Sequence, residues 1–210
     1  MAHPHVREEH PLPAMLMHYA HLISIVVLTI TGLYIHAPWQ GVRMELMRQL
    51  HFWFMYVLIV TLVIRIYWAI FGAGSSSHGS MKRVRDGKFF MPEAQNKGQL
   101  FQTVKYYLFL RKTHPPTSKF NPLQKGTYVF WILLIAVQAI TGFAIYGPTR
   151  GWFAGMTYML GGPLQMRVFH YLIMWVFVIT TLIHIYLAVA EDVGAFFLMF
   201  FWKENKEDAR

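Results

Sequence analysis

The chain has 210 residues, of which 55% are hydrophobic and 17% aromatic, and its mean hydropathy is +0.35. This composition is unusual for a soluble domain and typical of a membrane protein. Cysteine is absent, which excludes disulfides, cysteine-held iron–sulfur clusters and thiolate metal sites from these residues. The net charge of +9 is concentrated in one connection, so anionic lipid and membrane topology account for it better than nucleic acid does.

Four long apolar segments predict membrane spans at about 14–35, 46–71, 124–146 and 167–189. Each approaches the roughly 20 residues that cross a bilayer core and is too long for a strand. Because a backbone in lipid must satisfy its own hydrogen bonds, the spans are expected to be helices. The sequence therefore predicts an all-α integral membrane protein, a four-transmembrane-helix bundle formed by residues 1–210 as a single domain.

The connection at 72–122 is polar and strongly basic. Its cations far outnumber its two acidic residues, Asp86 and Glu93. By the positive-inside rule this connection and both termini are expected to be cytoplasmic. Residues 74–80, GSSSHGS, predict a flexible stretch. Residues 98–112 predict a helix that lies on the membrane surface or packs on protein, and 194–202 predict a second short interfacial helix.

Five of the eleven histidines fall in or at the spans: His18, His21, His51, His170 and His184. Ionisable residues inside a span are costly and indicate function. His170 and His184 are 14 residues apart, which places them within about 40° on one helix face and about 21 Å apart along its axis. One face thus presents an imidazole near each side of the membrane, the arrangement that two stacked haems need.

Span direction then sorts these histidines by depth. His51 and His170 are expected at the periplasmic level, and His184 at the cytoplasmic level with either His18 or His21. Each level supplies two imidazoles, which suits the two axial positions of a b-type haem iron. A zinc or copper site fits less well, since such sites use three or four protein ligands.

Glycine and arginine in the spans add to this interpretation. Gly32 and Gly142 each follow a threonine late in a span, and a glycine there lets a macrocycle or a neighbouring helix approach closely. Arg65 lies 14 residues after His51, near the cytoplasmic level. It can bind a haem propionate there or extend to the membrane surface.

Two amides precede or open the third span. Asn121 and Gln124 are placed to hydrogen bond a quinone carbonyl at the membrane edge. The same residues also suit helix capping, with Asn121 as the N-cap and Pro122 in the first helical position. Both roles are compatible with one geometry.

Over almost its whole length the chain resembles the b-type cytochrome subunit of membrane-bound, quinone-reactive nickel–iron hydrogenases. More distantly it is similar to the gamma subunit of respiratory formate dehydrogenases. The residues that carry the likeness are His18 with Gly32 fourteen residues later, RIYWAIFG at 65–72, KYYLFLRK at 105–112, FNPLQ at 120–124, TGFAIY at 141–146, the His170 to His184 spacing and HIYLAVAEDV at 184–193. Phe120 departs from the tyrosine or histidine usual in the pattern, and His21 is additional.

The resemblance implies two haems b in the core of the four-helix bundle. It assigns His51 and His170 to the periplasmic iron and His18 and His184 to the cytoplasmic iron, and it favours Asn121 and Gln124 for a quinone, either menaquinone or ubiquinone. It also implies a place in the bacterial inner membrane and, as partners, the small iron–sulfur and large subunits of a hydrogenase, with a dimer of complexes as one option. No nucleic acid partner is expected.

The function expected from these features is electron transfer from a periplasmic hydrogenase, through its iron–sulfur subunit, to membrane quinone. Without cysteine this chain does not hold the nickel–iron centre, so it is not the hydrogen-activating subunit. One alternative is the same role for a formate dehydrogenase or a sulfur-compound reductase. Another, from a different class, is a stand-alone quinol-oxidising cytochrome b.

Overall fold

The computed structural model describes residues 12–39, 41–75, 83–85, 87–88, 98–115 and 122–191, with positions 193, 196–197 and 200. Its four long helices are α1 (Leu12–His36), α2 (Met44–Phe71), α4 (Pro122–Ile145) and α6 (Pro163–Glu191). Two short helices, α3 (Leu100–Tyr107) and α5 (Ala154–Met159), lie in the connections. A 3₁₀ turn at Arg150–Phe153 precedes α5, and strands β1 (Ala73–Ser75) and β2 (Arg83–Arg85) follow α2.

The four predicted spans are confirmed as helices long and apolar enough to cross a membrane. Each begins two to four residues before its predicted start. Few residues of these helices are buried within the chain, and their exposed side chains are largely aliphatic or aromatic. This pattern fits helices whose outer faces meet lipid rather than water. Pro122 opens α4, the first helical position in which proline is favoured.

The chain divides into two compact units, and each long helix contributes residues to both. One unit comprises Tyr19–Leu62 and Trp131–Ile183. Its core joins all four long helices, with partly buried residues of α1 and α2 packed against a buried centre. That centre consists of Leu58 of α2, Leu134 and Ile135 of α4, and Ile173 and Phe177 of α6.

The other unit comprises Met1–His18, Val63–Phe130 and His184–Arg210. Here β1 and β2 pair antiparallel, with Ala73 opposite Arg85. The prediction of a flexible stretch from Gly74 was therefore wrong for its first two residues, which lie in β1, while 76–80 fall outside the described residues. Two strands of three residues leave the fold class all-α.

The predicted helix at 98–112 is shorter in the structure, ending at Tyr107. Phe109 then takes a positive φ of 58°, a conformation that ends the helix. Tyr107 is buried, and its carbonyl accepts a 3.4 Å hydrogen bond from the Tyr186 hydroxyl of α6, so α3 packs on protein. The predicted helix at 194–202 lies largely outside the described residues.

The connection between α4 and α6 belongs to the first unit and is more structured than its glycines suggest. The 3₁₀ turn and α5 hold large apolar side chains outward: Trp152 is 84% and Met159 88% exposed, and Tyr158 is exposed too. At the end of α4, Thr149 donates a 2.6 Å hydrogen bond to the Phe143 carbonyl. The connection is thus a fixed, aromatic-rich surface rather than a loose loop.

Candidate functional site

The structure brings His51 of α2 and His170 of α6 together. Their ring centroids are 6.5 Å apart, with the ring planes inclined at 66°. Both imidazoles are half-buried, and α2 and α6 both pack in the core of the same unit. The two histidines therefore face one another with a gap between their rings.

A threonine of α1 fixes the ring of His51. Thr31 Oγ1 donates to the Val27 carbonyl at 2.7 Å, and it lies 2.8 Å from Nδ1 of His51. Because the hydroxyl proton already serves the helix backbone, the hydroxyl oxygen accepts from Nδ1–H of the imidazole. That leaves Nε2 of His51 with its lone pair, which is the form that binds a metal.

The same contact recurs on α4. Thr141 Oγ1 donates to the Val137 carbonyl at 2.9 Å and lies 2.8 Å from Nδ1 of His170. On the other ring nitrogen, Nε2 of His170, the amide of Gln138 donates at 3.3 Å. The bond from Gln138 shows Nε2 acting as an acceptor, and the amide would have to turn aside for a metal to bind there.

Glycines beside these threonines leave room for the imidazoles. A Cβ on Gly142 would come within 3.3 Å of Cε1 of His170, closer than ordinary contact. A Cβ on Gly32 would meet Cε1 of His51 and Sδ of Met174, each at 3.6 Å. Each Thr-Gly pair thus holds one histidine, the threonine through a hydrogen bond and the glycine through clearance.

A cavity of about 720 Å³ opens beside this pair, lined by residues of all four long helices. That volume lies within the range of about 300–1,000 Å³ common to cofactor pockets. Its wall is mostly aliphatic and aromatic, with Gln138 as the amide. Among the described residues, its charged lining consists of Arg48 and Arg167, with no carboxylate.

The second predicted pair also meets. The ring centroids of His18 on α1 and His184 on α6 are 6.4 Å apart, with ring planes inclined at 50°. Both imidazoles are half-buried, and Met15 and Met17 are buried beside His18 in the sequence of α1. The proximity of the two rings is consistent with His18 as the partner of His184, and the choice between His18 and His21 stays a prediction.

For the remaining predicted site residues, the structure gives the position and burial of those that it describes. Arg65 is half-buried on α2, and Gln124 is half-buried in the first turn of α4, in the same unit as the His18–His184 pair. Asn121 lies outside the described residues. His21 is half-buried on α1. The roles of Arg65, Gln124 and Asn121 stay predictions.

A family model described as prokaryotic cytochrome b561 matches residues 9–202. The chain belongs to this family. A probable Ni/Fe-hydrogenase B-type cytochrome subunit of Azotobacter vinelandii is 32% identical over 86% of this chain and 79% of its own length. The corresponding protein of Rhizobium leguminosarum bv. viciae is 28% identical over 86% and 80%, and a hydrogenase 1 cytochrome subunit of Escherichia coli K12 is 26% identical over 86% and 81%.

The residues of this cytochrome b561 family member fit a haem b. The ring centroids of the two pairs are 6.4 and 6.5 Å apart, which leaves room for a metal ion between each pair of imidazoles at metal–nitrogen bonds of about 2 Å. Within the described ranges no group of three or more His, Asp or Glu side chains could hold a metal. Two-imidazole sites suit an iron whose other ligands come from a macrocycle.

Sequence reasoning missed the residues that orient the ligands. The Thr-Gly pairs predict close approach through their glycines, whereas Thr31 and Thr141 make the hydrogen bonds. Gln138, a polar residue within an apolar span, is a sequence signal that points to the same site. Arg48 and Arg167 each precede a predicted ligand by three residues, a repeated Arg-x-x-His spacing that could have been found.

Proposed function

We propose that this chain is the di-haem cytochrome b subunit of a membrane-bound nickel–iron hydrogenase and passes electrons from the periplasmic iron–sulfur subunit to a membrane quinone. The observation that carries the proposal is the meeting of two histidine pairs, whose members lie on three of four membrane-length helices. The relatives, named as probable hydrogenase cytochrome subunits, support a hydrogenase small and large subunit as the partners. Two such complexes can associate as a dimer.

In this proposal His51 and His170 bind one haem iron, and His18 and His184 bind a second. When bound, a haem b supplies reversible one-electron transfer. The protein's part is to hold each pair of Nε2 atoms ready. Thr31 and Thr141 keep the Nδ1 proton in place on His51 and His170, so no tautomer change is needed before these ligands bind.

Two sites on one helix suit a protein that moves electrons across a bilayer. His170 and His184 are separated by 14 residues of α6, a rise of about 21 Å. This rise covers most of a hydrocarbon core about 30 Å thick. Two sites spaced in this way therefore reach from one side of the membrane toward the other.

The proposed orientation follows from charge. Residues 72–122 and both termini face the cytoplasm of a bacterial inner membrane, because the basic residues concentrate there. His51 and His170 then lie toward the periplasm, where the hydrogenase subunits dock. All 210 residues form one cytochrome domain in this proposal.

The quinone site is proposed at the cytoplasmic end. Gln124 and Asn121 would donate hydrogen bonds to a carbonyl of menaquinone or ubiquinone, and protons for its reduction would come from the cytoplasm. Gln124 is half-buried at the start of α4, which supports a place at the membrane edge. Arg65, also half-buried, is proposed to bind a propionate of the second haem.

Purification in mild detergent tests the function. We expect the wild-type chain to carry two haems b, to copurify with hydrogenase small and large subunits and to support hydrogen-dependent quinone reduction. His51→Ala should lose one haem and the hydrogen-dependent quinone reduction. His114→Gln, a change at an exposed histidine outside both pairs, should keep both haems and this activity.

Other results would redirect or end the proposal. Copurification with a formate dehydrogenase or a sulfur-compound reductase would keep the electron-transfer role and change the partner. Quinol oxidation by the isolated chain without any partner would favour a stand-alone cytochrome. A purified, folded chain whose reduced-minus-oxidised spectrum lacks b-type bands would rule out the haem proposal altogether.

A further inference from the structure

The cavity beside His51 and His170 is positively charged. Of the residues that the structure describes, Arg48 and Arg167 line it and no aspartate or glutamate does. Guanidinium groups at the wall of an apolar cavity favour a ligand that brings negative charge. Haem b is such a ligand, since its macrocycle is apolar and its edge carries two propionate carboxylates.

The two arginines occupy equivalent places on the two ligand-bearing helices. Arg48 is the fifth residue of α2 and precedes His51 by three, and Arg167 is the fifth residue of α6 and precedes His170 by three. Residues three apart lie on neighbouring parts of one helix face, about 4.5 Å apart along the axis. Each arginine therefore lies one turn from a predicted iron ligand, toward the start of its helix.

Neither arginine is engaged elsewhere in the part of the chain that the structure describes. The neighbouring carboxylate, Glu45, pairs instead with Arg43 at 3.4 Å and accepts a hydrogen bond from Gln49. Arg48 and Arg167 are both exposed, as expected of cations at the mouth of a cavity. Their guanidinium groups are available to an incoming carboxylate.

We propose that Arg48 and Arg167 bind the propionates of the haem held by His51 and His170, one arginine to each carboxylate. The inference rests on the proposed haem at this pair. It assigns an orientation, with the carboxylate edge at the cavity mouth near the starts of α2 and α6. The two cations also offset the propionate charge and thereby favour the reduced haem.

Glutamine replacements test this in the complete complex. Arg48→Gln and Arg167→Gln should each lower the midpoint potential of the haem assigned to His51 and His170. The double variant should lower this potential further and should retain that haem less well. Arg48→Lys, which keeps the charge but not the bidentate geometry, should fall between wild type and Arg48→Gln. Redox titration and haem content per chain are the measurements.

Arg43→Gln is the matched control. Arg43 lies near the start of the same helix, is exposed, and does not line the cavity, so its loss should leave both potentials unchanged. The other haem, retained in every variant, reports that the chain has folded. Arg48→Gln and Arg167→Gln variants that titrate like Arg43→Gln would overturn the inference.

This outcome differs from a failure of the haem site itself. If His51→Ala loses one haem while the arginine variants titrate like the control, only the propionate assignment is wrong. If His51→Ala keeps both haems, the haem site is wrong and the arginine assignment fails with it. A shift confined to the haem that His184→Ala removes would also overturn the assignment.

Discussion

The two histidine pairs have almost the same spacing, 6.5 Å for His51–His170 and 6.4 Å for His18–His184, yet different places in the fold. The first pair lies within a unit whose core joins all four long helices. Helix α4 holds no predicted iron ligand, but it contributes Thr141 and Gln138 to the surroundings of His170. Helix packing thus sets the distance between the paired imidazoles, while Thr141 and Gln138 orient the ring of His170.

Alanine replacements of the two histidines of α6 should give the largest effect. In the proposed pairing, His170→Ala and His184→Ala each remove a ligand of a different haem, so each variant should carry half the haem of the wild type. Pyridine haemochrome assays and redox titration of purified protein would measure this. Loss of the same haem from both variants would show that the pairing is wrong.

Valine replacement of the threonines should have the next largest effect. Thr31→Val or Thr141→Val leaves a half-buried Nδ1–H without its acceptor, at a cost of about 1–3 kcal/mol. We expect the His51–His170 haem to bind about 5- to 150-fold more weakly and its electron paramagnetic resonance signal to change, with Thr31→Ser largely restoring both. Thr180→Val is the control, since Thr180 donates to its own helix carbonyls and is a matched back-bonded threonine on α6.

Thr180→Val should leave the haem signals as in wild type. Equal changes in Thr141→Val and Thr180→Val would mean that the hydroxyls act on helix geometry rather than on the imidazole. Such a result would show that the threonine hydroxyls do not orient the imidazoles.

The two glycines should differ in their sensitivity to alanine. A Cβ on Gly142 would crowd His170 at 3.3 Å, whereas one on Gly32 would make ordinary contacts at 3.6 Å. With overpacking at about 1 kcal/mol, Gly142→Ala should weaken haem retention about fivefold and Gly32→Ala much less. Gly126→Ala is the control on α4, because its Cβ would meet nothing within 4 Å. Haem content after a detergent wash would rank the three, and a reversed order for Gly142 and Gly32 would contradict the role of clearance.

Replacement of His21 should have the smallest effect. With His18 as the proposed partner of His184, whose ring centroid lies 6.4 Å away, His21→Gln should leave haem content and both potentials unchanged. The same spectroscopic titration applies, with His18→Gln as the comparison. A haem lost from His21→Gln and kept in His18→Gln would move the ligand assignment to His21.

Much of the fold could be predicted from sequence because hydropathy and helix periodicity are local. The four helices follow from apolar length, and the partnership of His51 with His170 follows from span direction and depth. The strand pair of Ala73–Ser75 and Arg83–Arg85 could not be predicted, since three residues show no periodicity. The 3₁₀ turn and α5 could not be predicted either, because both are short and lie in a connection rich in glycine.

Part of the candidate site depended on three-dimensional contacts. A threonine in a helix normally bonds its own backbone, so the hydrogen bonds that Thr31 and Thr141 make to imidazoles could be seen only with the neighbouring helix in place. Arg65 could be predicted as a site residue because an arginine inside an apolar span is unusual. Arg48 and Arg167 share the Arg-x-x-His spacing in the sequence, but the cavity is what shows that both line one pocket.

The outward aromatic surface between α4 and α6 has a consequence for the depth of the protein in its membrane. Tryptophan and tyrosine side chains prefer the headgroup layer of a bilayer. The exposed Trp152 and Tyr158 would therefore anchor the connection between α4 and α6 in that layer. Helix α6 starts at Pro163, and His170 follows about 10 Å further along its axis. This connection therefore sets how far below the headgroup layer the His170 imidazole lies.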